Sequence, residues 1–97
     1  MKHYKVYIIL CENGSLYTGI SVDVDRRFKQ HKSGRGAKFF RTSRPERLLW
    51  SSVDQSHTEA LLTERLLKNF SREGKLKFLR RMGVTLPEVL DKVPPVC

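Results

Sequence analysis

Residues 3–22 read HYKVYIILCENGSLYTGISV, and this stretch decides the fold. Tyr4, Val6, Ile8 and Leu10 alternate with His3, Lys5, Tyr7, Ile9 and Cys11, the period-two pattern of a β-strand over 3–11. Glu12-Asn13-Gly14 marks a turn. A second strand follows over 15–22, with Leu16, Ile20 and Val22 on the apolar side and Ser15, Tyr17, Gly19 and Ser21 on the other. The two apolar faces coincide only if paired residue numbers sum to an even value. A three-residue loop with Gly14 left-handed gives that parity, pairing Cys11 with Ser15, Ile9 with Tyr17 and Tyr7 with Gly19. Tyr7 and Tyr17 then become diagonal neighbours, roughly 7–8 Å apart at Cα. A two-residue Asn-Gly loop would instead place them on opposite faces.

Outward from the hairpin, Asp23 is an N-cap for a helix to about Lys32, with Gly34 as its stop. Val24 and Phe28 form its buried stripe, and Arg27 and His31 lie one turn apart beside it. Residues 34–46 read as a Gly- and Arg-rich connection, and Leu48 to Val53 as a third strand. Ser56-His57-Thr58-Glu59 has capping-box spacing and opens a helix to about Phe70. Ala60, Leu61, Leu62, Leu66, Leu67 and Phe70 are its apolar residues. A basic helix follows from about Gly74 to Met82. The order β-β-α-β-α-α predicts an α+β domain, a small three-stranded antiparallel sheet packed with helices. Residues 1–82 form the domain, and 83–97 a C-terminal tail of short helix or coil.

The 97 residues carry 19 Lys and Arg against 10 Asp and Glu, a net charge of +9. From Arg26 to Arg47 nine basic residues meet one acid; from Glu64 to Arg81 seven meet two. Clustered positive charge points to a polyanion, most often nucleic acid. No apolar run reaches the length of a membrane span, and the N-terminus lacks the pattern of a secretion signal. Cys11 and Cys97 read as free thiols of a reducing cytoplasm rather than a disulfide framework.

Hydrolysis of a phosphodiester needs a water that loses a proton, stabilised charge on the phosphorane-like transition state, and a held substrate. Arg27 suits the charge role, because its planar fork matches two phosphate oxygens. His31 has a reference pKa near neutrality and suits proton transfer. Tyr7 and Tyr17 can hold or deprotonate the attacking water if positive charge lowers their pKa values. Glu64 faces partly inward and needs a partner: Lys68 at i+4, or Mg²⁺, which commonly uses one or two carboxylates plus waters and phosphate. Gly34-Arg35-Gly36-Ala37-Lys38 is too short for a phosphate loop and reads as a backbone contact with nucleic acid.

Val6-Tyr7-Ile8, Tyr17-Thr18-Gly19, Arg27, His31 and the stretch Ala60–Glu64 together resemble a stand-alone GIY-YIG nuclease domain. That family includes the N-terminal nuclease module of the UvrC repair protein and intron-encoded homing endonucleases. Gly34–Lys38, Arg44-Pro45 and Lys68-Asn69-Phe70-Ser71-Arg72 are similar to its small single-domain members, and the likeness spans about residues 3–80. Val6 stands where the first motif has glycine, and Thr18 where the second has isoleucine. The resemblance implies a metal-dependent endonuclease acting on DNA, in repair or recombination, with Tyr7, Tyr17, Arg27 and His31 catalytic and Glu64 holding Mg²⁺ or Mn²⁺. Lys32, Arg35, Lys38, Arg41, Arg44, Lys68, Arg72 and Lys75 are the candidate nucleic-acid contacts. DNA is the first expected partner and RNA the second, for a cytoplasmic monomer without membrane attachment, any specificity coming from a partner protein. The alternative is a module that binds nucleic acid through the same basic surface without cutting it.

Overall fold

The computed structural model describes residues 2–87; the expected tail residues 88–97, Cys97 among them, lie outside that range. Strands β1 (Lys5–Cys11) and β2 (Leu16–Ser21) form the hairpin, followed by helix α1 (Val24–Lys32), a short 3₁₀ turn at Lys38–Arg41, strand β3 (Pro45–Ser51), and helices α2 (His57–Lys68) and α3 (Arg72–Arg81). The sheet is antiparallel in the order β2-β1-β3.

The hairpin has the even-parity register: Ile9 faces Tyr17 and Tyr7 faces Gly19. Cys11 N–H donates to the Ser15 carbonyl at 2.9 Å, and Gly14, at φ +86°, closes the turn by donating to the Cys11 carbonyl. That positive φ favours glycine. Arg72 donates to the Gly14 carbonyl and so ties the turn to α3.

As the central strand, β1 is buried on both faces. Val6 and Ile8 pack with Ala60, Leu67 and Leu79, and Leu10 with Leu76. Tyr7, Ile9 and Cys11 pack with Val24 and Phe40. Each fully buried aliphatic side chain contributes about 1.5–3 kcal/mol, so this one strand anchors two cores. Cys11 is in no disulfide.

Side-chain caps set the helix starts. The Asp23 carboxylate accepts from Arg26 N–H at 3.1 Å, and the Ser71 hydroxyl from Gly74 N–H at 3.0 Å. Ser56 and Glu59 form the reciprocal capping box at 3.0 and 3.1 Å. The backbone N–H of Ser56, with its hydroxyl beside it, holds the Glu59 carboxyl below its usual range.

Two expectations change. The third strand begins at Pro45 rather than Leu48, which an edge strand permits because the missing N–H is not needed there. The connection after Gly34 is not plain loop: its 3₁₀ turn buries Phe40. On α2 only Ala60 and Leu67 are buried, whereas Leu61, Leu62 and Leu66 are 44–60 % exposed. Beyond α3, Val84 and Leu86 pack onto the first core. No helix among the described residues is long and apolar enough to cross a membrane.

Candidate active site

Tyr7 and Tyr17 project from the same face of the hairpin, with ring centroids 6.2 Å apart. Gly19 makes that pairing possible: a Cβ at this position would lie 2.6 Å from the Tyr7 hydroxyl and 3.0 Å from the Tyr17 ring. Helix α1 brings His31 onto the tyrosines. Its Nε2 is 2.9 Å from the Tyr7 hydroxyl, and its ring meets Tyr17 edge-on at 5.5 Å. Phe40 covers both, with centroids 4.3 Å from His31 and 4.6 Å from Tyr17.

His31 is buried. Burial, reinforced by the neighbouring Arg27 charge, lowers its pKa to about 4, so the ring is neutral at pH 7. A neutral imidazole carries one N–H. Nδ1 accepts from Ala37 N–H at 3.3 Å, so the proton sits on Nε2 and is donated to the Tyr7 oxygen. The hydroxyl proton of Tyr7 is thereby left for a second acceptor. Gly36 provides the room for this arrangement, since a Cβ there would stand 1.8 Å from His31 Nδ1. The Gly34–Lys38 segment therefore has a packing role against His31.

Arg27 is half-buried, and its Nη1 donates to Gln30 Oε1 at 3.0 Å. Its guanidinium also acts on both phenols by charge, and on Tyr7 by hydrogen bonding as well. That pull lowers both phenol pKa values. Burial wins instead: Tyr7 is pushed up to about 12 and Tyr17 is also raised, with the Glu64 charge adding to both. Both phenols are therefore protonated at pH 7.

Glu64 reaches the same group from α2, which packs on β1 and β2. Its side chain is only 19 % exposed, and Oε2 meets Lys68 Nζ at 3.4 Å. Among the described residues no cluster of three His, Cys, Asp or Glu could hold a metal ion. The donor set rules out a closed zinc site, which takes four protein ligands. It fits a magnesium-type ion, which makes do with one carboxylate, water and substrate phosphate.

Of the eight candidate nucleic-acid contacts, Lys32, Arg35, Lys38, Arg41, Arg44 and Lys68 are exposed, on the end of α1, the connection after it and the end of α2. Lys32 Nζ also stands 5.3 Å from the centre of the Phe28 ring. Arg72 and Lys75 are half-buried: Arg72 holds the hairpin turn, and burial together with the Lys68 charge lowers the Lys75 pKa. Sequence reasoning missed Phe39 and Phe40, which stack at 5.4 and 4.6 Å on Tyr17. Two adjacent aromatics in an otherwise polar, basic stretch were the available signal.

The chain matches the family model for the GIY-YIG catalytic domain over residues 3–77. It is 42 % identical to the UPF0213 protein SSP2268 of Staphylococcus saprophyticus, covering 80 % of this chain and 94 % of that one. It is 40 % identical to the UPF0213 protein SAG0778 of Streptococcus agalactiae, covering 78 % and 86 %. The solution NMR structure of the UPF0213 protein BH0048 from Bacillus halodurans is similar, with a TM-score of 0.55 and 44 % identity over 86 % of this chain and 87 % of that one. The chain belongs to the GIY-YIG catalytic domain family, alongside its small single-domain UPF0213 members.

Proposed function

We propose that this protein is a metal-dependent endonuclease that hydrolyses phosphodiester bonds in DNA. The observation carrying this reading is the common electrostatic setting of five side chains from four elements: Tyr7 and Tyr17 each feel Arg27 and Glu64, while His31 bonds Tyr7 and feels Arg27. Membership of the GIY-YIG family supports it, as does the clustered positive charge.

In this reading Tyr17 and Tyr7 hold the attacking water. His31 is a positioning residue: its Nε2–H fixes the Tyr7 oxygen and stabilises that oxygen when it carries negative charge. Arg27 is the counter-charge for the phosphorane-like transition state, a role worth several kcal/mol in a water-poor site. Glu64 would hold the divalent ion, releasing Lys68 to the substrate backbone. When bound, the ion supplies Lewis-acid stabilisation of the developing charge. The exposed cations from Lys32 to Arg44 grip phosphates on either side.

The test is a cleavage panel of duplex, single-strand, flap, junction and RNA substrates with Mg²⁺ or Mn²⁺. Cleavage is expected to stop with chelator and in Glu64→Ala, with the fold retained by circular dichroism. Undiminished cleavage in that variant refutes the assignment of the carboxylate. A second reading, binding without cutting, draws on the raised phenols and on the ammonium already seated at Glu64. It predicts affinity for DNA indifferent to chelator and no cleavage with any divalent ion.

A further inference from the structure

Just beyond Glu64 and Lys68, where α2 passes into α3, the surface opens into a pocket of about 460 Å³. Phe70, Gly74 and Phe78 line it together with Lys77, Arg80 and Arg81. The two phenylalanine rings lie 6.4 Å apart, nearly edge to face, and Phe78 is braced edge-on against Trp50 at 4.9 Å. Gly74 leaves the space unfilled; a Cβ there would come 3.3 Å from the Phe70 Cβ. Lys77 has a long 3.9 Å contact with Glu73, both side chains largely exposed. Such a pair is worth little and yields readily to another anion.

This lining has two chemical halves. A phosphate alone has no use for an aromatic floor, and an apolar side chain has no use for three cations around it. A nucleotide satisfies both, its base lying on the aromatic surface and its phosphate meeting Lys77 and Arg81, which is how unpaired strands are held on proteins. Chain order connects the pocket to the reaction centre. Lys68, on Glu64 at 3.4 Å, precedes Phe70 by two residues; Lys75, close enough to Lys68 to feel its charge, follows Gly74.

We propose that the α3 pocket takes an unpaired nucleobase of the strand being cut, so that the substrate class is nucleic acid with a single-stranded segment next to the cleaved bond. A base in continuous duplex is stacked and paired, and entering the pocket would require it to unstack and unpair. The proposal rests on the nuclease reading for the identity of the strand, but its test does not require cleavage.

The experiment is fluorescence anisotropy in chelator with a labelled 15-nucleotide single strand and the matching blunt duplex, using the full chain. The variants are Gly74→Leu, which fills the pocket without changing charge, and Lys77→Ala/Arg81→Ala, which strips its rim. Gly74→Leu is expected to weaken single-strand binding at least fivefold, leaving duplex binding and the salt dependence unchanged. The rim variant is expected to weaken it too, with a salt slope shallower by about 1.4. Unfolding midpoints confirm that both variants fold; a misfolded Gly74→Leu is replaced by Gly74→Val. Equal losses on strand and duplex, or no loss in the filled variant, overturn the proposal. So does competition by free AMP at the oligonucleotide's own concentration, which would make this a mononucleotide site. Lack of oligonucleotide binding, as for a pocket that takes an acidic apolar peptide, also overturns it. Loss confined to the single strand, with no cleavage under any divalent ion, would keep the pocket and reject the nuclease reading. Normal binding by Gly74→Leu with active cleavage would do the reverse.

Discussion

Acidification should unlock the site through His31. In the fold the ring is neutral, its pKa lowered from 6.5 to about 4 by burial and by Arg27. Unfolding returns it to the ordinary value, so between pH 6.5 and 4 the unfolded chain binds the extra proton. Stability contributed by the neutral ring is therefore complete above pH 6.5 and is lost as pH falls toward 4. Linkage with these two values gives a loss of about 2.5 kcal/mol between pH 7.5 and 4.5. For a domain this size that moves a urea midpoint by roughly 1–2 M. Carboxylates add their own acid sensitivity, so the measured quantity is a difference. Urea unfolding of wild type and His31→Gln is followed by circular dichroism from pH 7.5 to 4.5. The wild type should lose about 2.5 kcal/mol more than the variant over that range. Nitrogen-15 NMR of the ring should report the Nε2–H tautomer and titration far below 6.5. Parallel stability curves, or a ring that titrates near 6.5, would refute both the buried neutral histidine and the hydrogen-bond order drawn from it.

Thr18, buried in β2 where the family motif has isoleucine, has a hydroxyl with no hydrogen-bond partner, so Thr18→Val should stabilise the domain by about 1 kcal/mol and raise the melting temperature by several degrees. Gly36→Ala drives a methyl into the imidazole and should cost about 2–3 kcal/mol in thermal unfolding, while displacing the His31 ring signals in NMR. If ionised Tyr7 takes the water's proton, its pKa of about 12 makes the cleavage rate rise about tenfold per pH unit from 7 to 10, a slope that Tyr7→Phe should abolish. Ser56→Ala removes the cap of α2 and should lower stability by about 1 kcal/mol in urea titration.

The hairpin, its register and two of the helix starts were legible because each is a local matter. Alternation along 3–11, the left-handed demand at Gly14 and the Ser56–Glu59 reciprocity require no knowledge of the rest of the chain. Arg27 and His31 were readable as a pair from helical spacing alone. Their environment was not, because burial of His31 depends on Phe40 and Gly36, which arrive from a segment whose Gly and Arg content looks like plain loop. The same gap explains the phenols: Arg27 does pull their pKa down, but how much water remains around Tyr7 is settled by the whole sheet. Leu61, Leu62 and Leu66 show the reverse limit, since α2 has more leucines than its buried face admits.

The central claim, that these side chains make up a phosphodiester-cleaving site, is tested most directly by single-turnover nicking of supercoiled plasmid in Mn²⁺ by wild type and Arg27→Ala. The account predicts metal-dependent conversion to open circles by the wild type and a rate at least a hundredfold lower in the variant. Equal rates for the two proteins, or intact plasmid with every divalent ion tried, would contradict it.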